Sequence, residues 1–262
     1  MKFNQKNILS WAEFSGDYNP IHFSLSRAKT IGVNDIIVHG MLVLVYIHKN
    51  LTFDYKSQSV GWMTIKAFFR SPCLSNISYG LVTNKRQSYS YFSLLSSSDN
   101  DITITGSTYL SSSMPQRIDI KNYSIYIDES MHVNKKELFM DIFPEVDDAW
   151  IFISALSFSM FLQSDFLFER IFSLLDIEKT EDRSDIFTKI SMLQTMHTAI
   201  VSPLLLRAKI SDLQTFLDIK INISDALVIK SEQDIKSFFF KTEVFFNENC
   251  VMQTEIGLQI KR

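Results

Sequence analysis

Apolar and polar residues follow a helical period through the first fifty positions, and three stretches there predict helices. Residues 4–14, NQKNILSWAEF, place their apolar side chains on one face, which is typical of a short amphipathic helix. The stretch SLSRAKTIG predicts a second short helix, capped by Ser24 or Ser26 and stopped by Gly32. Residues 36–51, IIVHGMLVLVYIHKNL, are apolar nearly all round and therefore predict a buried helix.

After residue 50 the pattern changes to one that predicts β-strands. Residues 59–69, SVGWMTIKAFF, are rich in β-branched and aromatic residues, and residues 101–110, DITITGSTYL, predict a further strand. Between them, residues 78–95, SYGLVTNKRQSYSYFSLL, predict two strands joined by a turn near Asn84-Lys85. The first half is therefore expected to contain short helices, one buried helix and then a set of strands.

The second half repeats this order. Residues 147–163, DDAWIFISALSFSMFLQ, predict another buried helix, with Asp147 or Asp148 near its N-terminus, where the helix dipole favours acidic groups. Residues 168–185 are expected to be helical and then looped. Residues 251–261, VMQTEIGLQIK, alternate between apolar and polar positions, as a half-buried antiparallel strand does. Three further stretches predict strands: TFLDIKINI, ALVIKS and SFFFKTEVFF.

A helix apolar on all sides followed by a run of strands, found twice, predicts two copies of one α+β unit. The length of 262 residues suits two domains or one large domain. The two halves share this pattern rather than visible sequence identity. A polar stretch from Ser111 to Ser124 is the expected linker.

Composition and charge narrow the classes of protein that fit this pattern. Apolar residues make up 46% of the chain, enough for a sizeable core, and a net charge of -3 argues against a nucleic-acid partner. The first 130 residues carry a net charge of +3 and the others -6, which would bias the first half toward acidic partners. Cys73 and Cys250 are too few for a disulfide scaffold and are expected to be buried thiols.

No segment of the sequence predicts export or insertion into a membrane. The N-terminus, MKFNQKNILSWAEF, has polar residues where a signal peptide needs an apolar core. The longest apolar run, AWIFISALSFSMFLQ, has 15 residues, fewer than the roughly 20 that span a bilayer. We therefore expect a cytoplasmic protein with no membrane partner.

The candidate chemistry lies in the stretch FSGDYNPIHFS. Asp17 and His22 stand five positions apart, and Gly16 permits a backbone shape that other residues resist. Pro20 fixes its own φ and pushes Asn19 toward an extended conformation. Such a stiff segment can hold the carboxylate and the imidazole toward one point, where they would form a general acid–base pair.

A second candidate element is VHGM, Val38 to Met41, because the buried helix is expected to begin near His39-Gly40. A helix N-terminus presents unpaired N–H groups and a partial positive charge. A carbonyl oxygen docked there would be stabilised as it becomes an enolate. Gly40 would let that carbonyl approach the backbone closely.

Together these two blocks resemble the signature of the R-specific enoyl-CoA hydratases, also called hydratase 2 or MaoC-like dehydratases. The family motif runs aromatic residue, small residue, Gly, Asp, any residue, Asn, Pro, aliphatic residue and His, with a small residue several positions later. The segment FFRSPC resembles the family's strand that ends in a proline, so the resemblance covers about residues 8 to 110. The residues in register are Phe14, Ser15, Gly16, Asp17, Asn19, Pro20, Ile21, His22 and Ala28.

The resemblance implies a hotdog fold, in which an antiparallel sheet wraps a long central helix. Because pockets of this fold form between two units, we expect an α+β double hotdog, a pseudo-dimer within one chain that is a monomer or a homodimer. Residues 1–120 would form the unit that carries the motif. Residues 121–262, which lack any D-x-N-P-x-H, would form a degenerate unit that completes a single active site.

The resemblance also implies a hydro-lyase that interconverts an R-3-hydroxyacyl thioester and a trans-2-enoyl thioester in fatty-acid or polyketide-type metabolism. The thioester would be carried by CoA or by acyl carrier protein. Asp17 and His22 would share the proton transfers, and the sequence leaves their individual roles open. No metal and no redox cofactor is required, because the thioester makes the α-proton acidic. The expected substrate-binding residues are Asn19, His39, Gly40, Met41 and Thr64.

The sequence departs from the family pattern at three places. Ser24 stands where an acidic residue is common, which would affect capping of the loop more than chemistry. Thr64 is the candidate for a small hydroxyl that faces the thioester in relatives, although the register of its strand is open. The segment SPCLSNISYG replaces the usual turn after the proline, which leaves the shape of the loop near the pocket open.

Simpler interpretations stand beside these. His39 is more easily read as a brace of the pocket than as a ligand contact, and three isolated histidines, His48, His132 and His197, do not have the spacing of metal ligands. The basic residues of the first half are solvated or else meet the phosphate of CoA or an acidic carrier protein. The rival functions are a thioesterase of the same fold and a non-catalytic hotdog protein that binds acyl groups or a partner subunit.

Overall fold

The computed structural model describes residues 1–52, 61–86, 89–117, 123–178, 185–213, 218–230 and 235–261. They form an α+β fold with one antiparallel sheet and two central helices. The helices are α1 (Gln5–Ser15), α2 (Leu25–Thr30), α3 (Gly40–Thr52), α4 (Glu129–Ile142), α5 (Ala149–Gln163), α6 (Asp165–Leu175), α7 (Ile186–Lys189) and α8 (Pro203–Arg207). The strands are β1 (Trp62–Phe69), β2 (Tyr79–Arg86), β3 (Tyr89–Ser96), β4 (Ile102–Ser111), β5 (Tyr123–Ile127), β6 (Ser191–Val201), β7 (Ile219–Ile223), β8 (Leu227–Lys230), β9 (Ile235–Phe246) and β10 (Asn249–Lys261).

The sheet runs without a break through both halves of the chain. Its strands lie in the order β2-β3-β4-β1-β6-β10-β9-β7-β5, and β8 pairs with β9. β1 and β6 form the seam between the halves, with Ala67 opposite His197. Outward from this seam, the order β1-β4-β3-β2 on one side corresponds to β6-β10-β9-β7 on the other. The two halves therefore share one topology, as the repeated sequence pattern predicts.

Each half contains one of the buried helices that the sequence predicts. α3 begins at Gly40, at the expected position, and α5 has 14 of its 15 residues buried. α5 is apolar on all sides because β10 and α3 pack on it from some directions and α1, α4 and α6 from others. Burying one large apolar side chain contributes about 1.5–3 kcal/mol, so this helix is a main source of the stability of the second half.

Several local signals in the sequence are confirmed. α1 ends at Gly16, whose φ of 71° gives the left-handed cap that glycine favours. Ser24, not Ser26, caps α2, since its Oγ accepts from the backbone N–H of Arg27 at 3.5 Å. β10 shows most of the predicted alternation: the predicted inward residues from Met252 to Ile260 are buried and Lys261 is exposed, but Gln253, expected on the polar face, is also buried.

Besides the unpredicted strand β5, which begins within the expected linker, two strand features differ from the prediction. The expected turn near Asn84-Lys85 is not there, because β2 continues through both residues, which lie opposite Tyr91 and Ser90 of β3. Pairing across the two strands overrides the local turn preference of Asn84. The other difference is β6, SMLQTMHTAIV, which the pattern did not predict because its polar and apolar residues do not alternate with a period of two.

The expected division into residues 1–120 and 121–262 stays a prediction. Its boundary falls in residues 118–122, which lie outside the described part of the chain, as does part of the expected linker. β4 ends at Ser111 and β5 begins at Tyr123, so the described residues of this linker carry no helix or strand between those two points. Other parts of predicted segments also lie outside the described residues: 59–60, 87–88, 179–184, 215–217 and 231.

The structure bears on two further expectations. Among the described residues, no single helix has both the length and the apolar character needed to cross a membrane; α5 and α6 meet those criteria only together, as a pair bent by 51°. Cys73 and Cys250 are both free thiols, but only Cys73 is buried as predicted, since Cys250 is partly exposed. Desolvation raises the pKa of each thiol to about 11. Both thiols are therefore protonated and weakly nucleophilic at neutral pH.

Two histidines that are far apart in sequence meet where the central helices pack. The rings of His48 on α3 and His197 on β6 are 6.4 Å apart between centroids, and the ring of His48 lies 4.9 Å from that of Trp150 on α5. Ser154 Oγ lies 3.3 Å from His197 Nε2. Burial disfavours the charged imidazolium, and it lowers the pKa of His48 to about 3 and that of His197 to about 4.

We expect these two histidines to make the fold sensitive to acid. The unfolded chain takes up protons near the ordinary histidine pKa of 6.5, whereas the folded chain keeps His197 neutral down to about pH 4. The free energy of unfolding should therefore fall as the pH falls from 6.5 to 4, by about 3 kcal/mol from His197 alone. Urea unfolding at pH 7 and pH 4 measures this loss. The His197→Gln variant should lose about 3 kcal/mol less than the wild type, and an equal loss in both proteins would contradict the assignment.

Candidate active site

A cavity of about 280 Å³ lies between the two halves of the chain. The first half contributes the loop around Asp17, the start of α3 and the segment Phe69–Cys73 that continues from β1. The second half contributes Phe158 and Leu162 of α5, residues 192–195 of β6, and part of β10. The volume is close to the lower limit of roughly 300 Å³ for small-molecule pockets, which suits a compact reacting group.

Residues 15–22, which we call the bend, take their shape from local interactions. Gly16 turns the chain with a positive φ of 71°. Asn19 Oδ1 accepts from the backbone N–H of Ile21 at 3.4 Å, and Pro20 begins the 3₁₀ turn Pro20–His22. The backbone N–H of Asn19 donates to Asp17 Oδ1 at 3.2 Å. These contacts hold the Asp17 carboxylate and the His22 ring on the cavity side of the bend.

The second half of the chain holds the bend in place. Gln163 Nε2 on α5 donates to the carbonyl of Ser15 at 3.1 Å. Asn19 Nδ2 donates to the carbonyl of Met192 on β6 at 2.9 Å. Two further donors of the second half reach the carbonyl that precedes the bend: Ser159 Oγ at 3.1 Å and Lys135 Nζ, both to Phe14.

Asp17 and His22 come together as the motif predicts. Asp17 Oδ2 lies 3.8 Å from His22 Nε2. This separation is too long for a direct hydrogen bond, but it lets one water or substrate oxygen bond to both groups. His22 Nδ1 lies 2.8 Å from the carbonyl of Ile37. Because a carbonyl can only accept, Nδ1 carries the hydrogen and Nε2 presents its lone pair toward Asp17.

Burial determines the charge of His22. It lowers the pKa of His22 below 6.5, and the Asp17 carboxylate and the Ile37 carbonyl oppose this effect only in part. The ring is therefore neutral at pH 7, with a lone pair free to accept a proton.

His39 braces the pair, which was the simpler of its two interpretations. Its Nε2 donates to the backbone carbonyl of Asp17 at 2.9 Å, and its ring stacks on that of His22 with 3.7 Å between centroids. Burial, reinforced by the neighbouring His22, holds the pKa of His39 well below 6.5. The neutral ring of His39 thus fixes the orientation of His22.

One ligand atom each from Asp17, His22 and His39 lie within 4.8 Å of one another, so this cluster is the candidate for a metal site. The planes of the two rings are only 28° apart, and the rings are stacked face to face. Lone pairs in the planes of stacked rings do not converge on one point, whereas a zinc ion needs nitrogen lone pairs directed at it from about 2.0–2.1 Å. The arrangement suits proton transfer better than metal binding.

Gly40 lines the same cavity at the start of α3. A Cβ at this position would lie 2.6 Å from Gln194 Oε1 and 2.9 Å from the ring of Phe69, so a larger residue would displace both. The first backbone N–H groups of a helix have no partners within the helix. Gly40 and the adjacent Met41 therefore give the cavity a wall with amide donors.

The structure places Thr64 away from the other predicted site residues. It is buried on β1, opposite Tyr109 and Ile200, and it is not part of the cavity lining. β1 reaches the cavity only at Phe69, five residues or roughly 17 Å along the strand. The prediction that the hydroxyl of Thr64 faces the substrate is therefore not supported by the cavity in this structure. The predicted residues that do line the cavity are Asp17, Asn19, His22, His39, Gly40 and Met41.

Sequence reasoning predicted that the second half completes the site, but it did not identify the residues that the second half contributes. Met192 and Gln194 lie on the strand that was not predicted, and Leu258 lies on β10, where the pattern indicated burial but not a cavity. No motif marks these residues. Their part in the site could be expected only in general terms, because pockets of the hotdog fold form between two units.

The part of the chain that carries the bend is similar in sequence to known proteins. Residues 1–77 match the sequence profile of the family described as the MaoC-like domain. A mitochondrial 3-hydroxyacyl-[acyl-carrier-protein] dehydratase from Arabidopsis thaliana is 31% identical over 70 residues, which cover 27% of this chain and 41% of that protein. The chain thus matches less than half the length of this curated relative. The predicted resemblance to the MaoC-like family is confirmed for the part of the first half that carries the motif.

Solved structures extend the comparison to the whole chain. The structure of a MaoC-like dehydratase aligns with 100% of this chain over 95% of its own length, with a TM-score of 0.52 and 8% sequence identity. A MaoC domain protein from Chloroflexus aurantiacus gives a TM-score of 0.54 at 10% identity, with 100% and 93% coverage. A conserved hypothetical protein from Mycobacterium tuberculosis, described as a double hotdog, gives 0.54 at 6% identity, with 99% and 93% coverage. The predicted fold class, an α+β double hotdog, is confirmed.

We expect replacement of Gly16 by alanine to lower the free energy of unfolding by more than the positive φ of Gly16 alone would cause. An alanine at positive φ costs about 1–2 kcal/mol, and a Cβ on Gly16 would also lie 2.6 Å from the side chain of Gln163. Gly32 is the matched control, since its φ is 82° but nothing lies within 4 Å of an added Cβ. Urea unfolding should show a loss at least about 1 kcal/mol larger for Gly16→Ala than for Gly32→Ala. Equal losses would contradict the contact between the bend and α5.

Proposed function

We propose that this protein is a hydro-lyase that interconverts a trans-2-enoyl thioester and an R-3-hydroxyacyl thioester. The observation that carries the proposal is the 3.8 Å separation of the Asp17 carboxylate from the lone pair of a neutral His22, in a cavity that also contains the start of α3. The MaoC-like match over residues 1–77, which includes both groups, supports the same reaction class. CoA and acyl carrier protein are the two candidate thioester carriers, and the Arabidopsis relative is named for the second.

The pair can carry out hydration without any net uptake of protons. A water held between Asp17 Oδ2 and His22 Nε2 gives one proton to the pair as its oxygen bonds to the β-carbon. The electrons of the double bond move onto the thioester oxygen, which becomes an enolate. The enolate then collapses, and the α-carbon takes one proton from the pair. Dehydration follows the same steps in reverse.

The position of the two groups also fits the stereochemistry of the proposal. Asp17 and His22 belong to one short bend and approach the cavity from one side. Water and proton would therefore reach the same face of the double bond, which is a syn addition. The start of α3 would hold the thioester oxygen with its backbone N–H groups and stabilise the charge that develops there. Asn19 and His39 act as positioning residues, since Asn19 ties the bend to the carbonyl of Met192 on β6 and His39 bonds to the backbone carbonyl of Asp17.

We expect loss of either member of the pair to abolish most of the hydration activity. General acid–base groups contribute about 10²–10⁴-fold in rate, so Asp17→Asn and His22→Gln should each lower kcat by about that factor. The assay incubates the full chain with crotonyl-CoA, or with crotonyl-acyl carrier protein, and follows loss of the conjugated enoyl absorbance. His132→Gln is the matched control, because His132 is also buried but lies on α4 outside the cavity lining.

The same assay separates the rival functions. Release of free thiol at the rate of enoyl loss would mean hydrolysis and would overturn the hydratase proposal in favour of a thioesterase. Binding of the thioester without turnover on either carrier would favour the non-catalytic alternative. Full activity in Asp17→Asn or in His22→Gln, with the fold intact, would remove that residue from the mechanism.

The charge of His22 predicts the pH dependence. Hydration requires neutral His22, so kcat/KM should be flat above pH 6.5 and should fall only below the pKa of His22, which burial holds under 6.5. The Asp17 carboxylate raises the pKa of His22, so Asp17→Asn should lower it further. Titration of the His22 ring by NMR in both proteins measures this change. A pKa that rises in the variant would contradict the arrangement.

A further inference from the structure

Gln194 lines the cavity on β6, next to an irregularity of that strand. β10 skips Thr195 in its pairing with β6, which makes a β-bulge there. A bulge of one residue changes which side chains of a strand point to a given face. Four successive residues beside this bulge, 192–195, line the cavity, whereas His197 and Ala199 farther along β6 are buried outside the cavity lining. Bulges that redirect a side chain are common beside active sites.

The carboxamide of Gln194 has no partner among the described residues. Its Nε2 and Oε1 are both shielded from solvent, and neither makes a hydrogen bond. A buried amide without partners destabilises the fold, because the hydrogen bonds that it made to water are not replaced. A ligand in the cavity is the available source of such a bond, since the cavity is the open space that Gln194 lines.

The carboxamide lies against the start of α3. A Cβ on Gly40 would be only 2.6 Å from Gln194 Oε1, so the absence of a side chain at Gly40 is what lets the two elements meet. Rotation of the carboxamide by 180° exchanges its donor and its acceptor without moving the rest of the side chain. Gln194 and the first turn of α3 can therefore both direct donors to one oxygen.

We propose that Gln194, from the half of the chain that lacks the motif, binds the thioester carbonyl oxygen of the substrate as a second donor beside the start of α3. This inference rests on the proposed function. The carbonyl oxygen gains negative charge when water adds to the β-carbon, so a hydrogen bond from Gln194 Nε2 is stronger in the transition state than in the ground state. Gln194 donates this hydrogen bond and transfers no proton, so the proton balance of the Asp17–His22 pair is unchanged.

Replacement by methionine tests the proposal with little change of volume. Gln194→Met removes both polar atoms and keeps the length of the side chain. Loss of one donor of this kind lowers kcat by about 10²–10³-fold, so we expect at least a hundredfold loss with a much smaller change in KM. Because an unpaired buried amide is removed, the thermal midpoint should stay equal or rise. A residue with only a structural role would lose stability together with activity.

The glutamate variant gives a second readout. In Gln194→Glu a carboxylate at neutral pH repels the enolate, whereas the protonated carboxyl at lower pH can again donate a hydrogen bond. The activity of Gln194→Glu relative to the wild type should therefore rise as the pH falls. Thr198→Val is the matched control, because Thr198 is on the same strand and also has a buried polar atom without a partner, but it lies outside the cavity lining. Thr198→Val should keep the activity of the wild type.

The outcomes distinguish this inference from the proposed function. Wild-type kcat in Gln194→Met overturns the role of Gln194 and leaves the hydratase proposal in place. If the wild type turns over no enoyl thioester, the proposed function fails, and binding of acetoacetyl-CoA, an enolisable thioester, then tests Gln194 separately. Affinity for acetoacetyl-CoA at least tenfold weaker in Gln194→Met supports the contact with the carbonyl, and equal affinity overturns it.

Discussion

The candidate site depends on hydrogen bonds that the second half of the chain makes to the bend at residues 15–22. Phe14 and Ser15 end a helix, so their carbonyls have no partners within it, and a buried carbonyl without a partner is costly. Gln163 of α5 bonds to Ser15, and Ser159 bonds to Phe14. Gln163 is separated by 148 positions from the residue that it holds. Local sequence gives the bend its shape, but a distant helix determines where that bend lies.

This dependence explains how the candidate site can use two halves of which only one carries the motif. Among the described residues, the second half contributes no ionisable side chain to the cavity lining, and the D-x-N-P-x-H pattern is absent from its sequence. It contributes instead the carbonyl of Met192, the side chain of Gln163 and the apolar wall at Phe158 and Leu162. These contacts need hydrogen-bonding groups and apolar surface rather than a particular motif. A half without the motif can therefore still be required to hold the candidate site in place.

The same distinction separates what the sequence predicted from what it did not. The bend, the cap at Gly16 and the start of α3 near Gly40 follow from local chemistry, because glycine, proline and asparagine restrict the backbone wherever they stand. The alternation in β10 likewise follows from a strand with one buried face. β6 escaped prediction because the bulge at Thr195 interrupts its period of two. The turn expected near Asn84 failed because pairing with β3 outweighed a local preference.

Among the described residues, buried polar groups inside and outside the cavity lining have different roles. His48 and His197 are packed between the central helices and outside the cavity lining, so their neutral rings affect stability and its dependence on pH. His39 Nδ1 and the carboxamide of Gln194 are buried with no hydrogen-bond partner among the described residues, and both residues line the cavity. Apolar side chains in place of His39 and Gln194 would make the fold more stable. A protein that keeps polar side chains at such a cost in stability is expected to use them for function. The polar atoms that the fold leaves unsatisfied beside the Asp17–His22 pair are therefore best explained by a polar ligand that enters between the two halves.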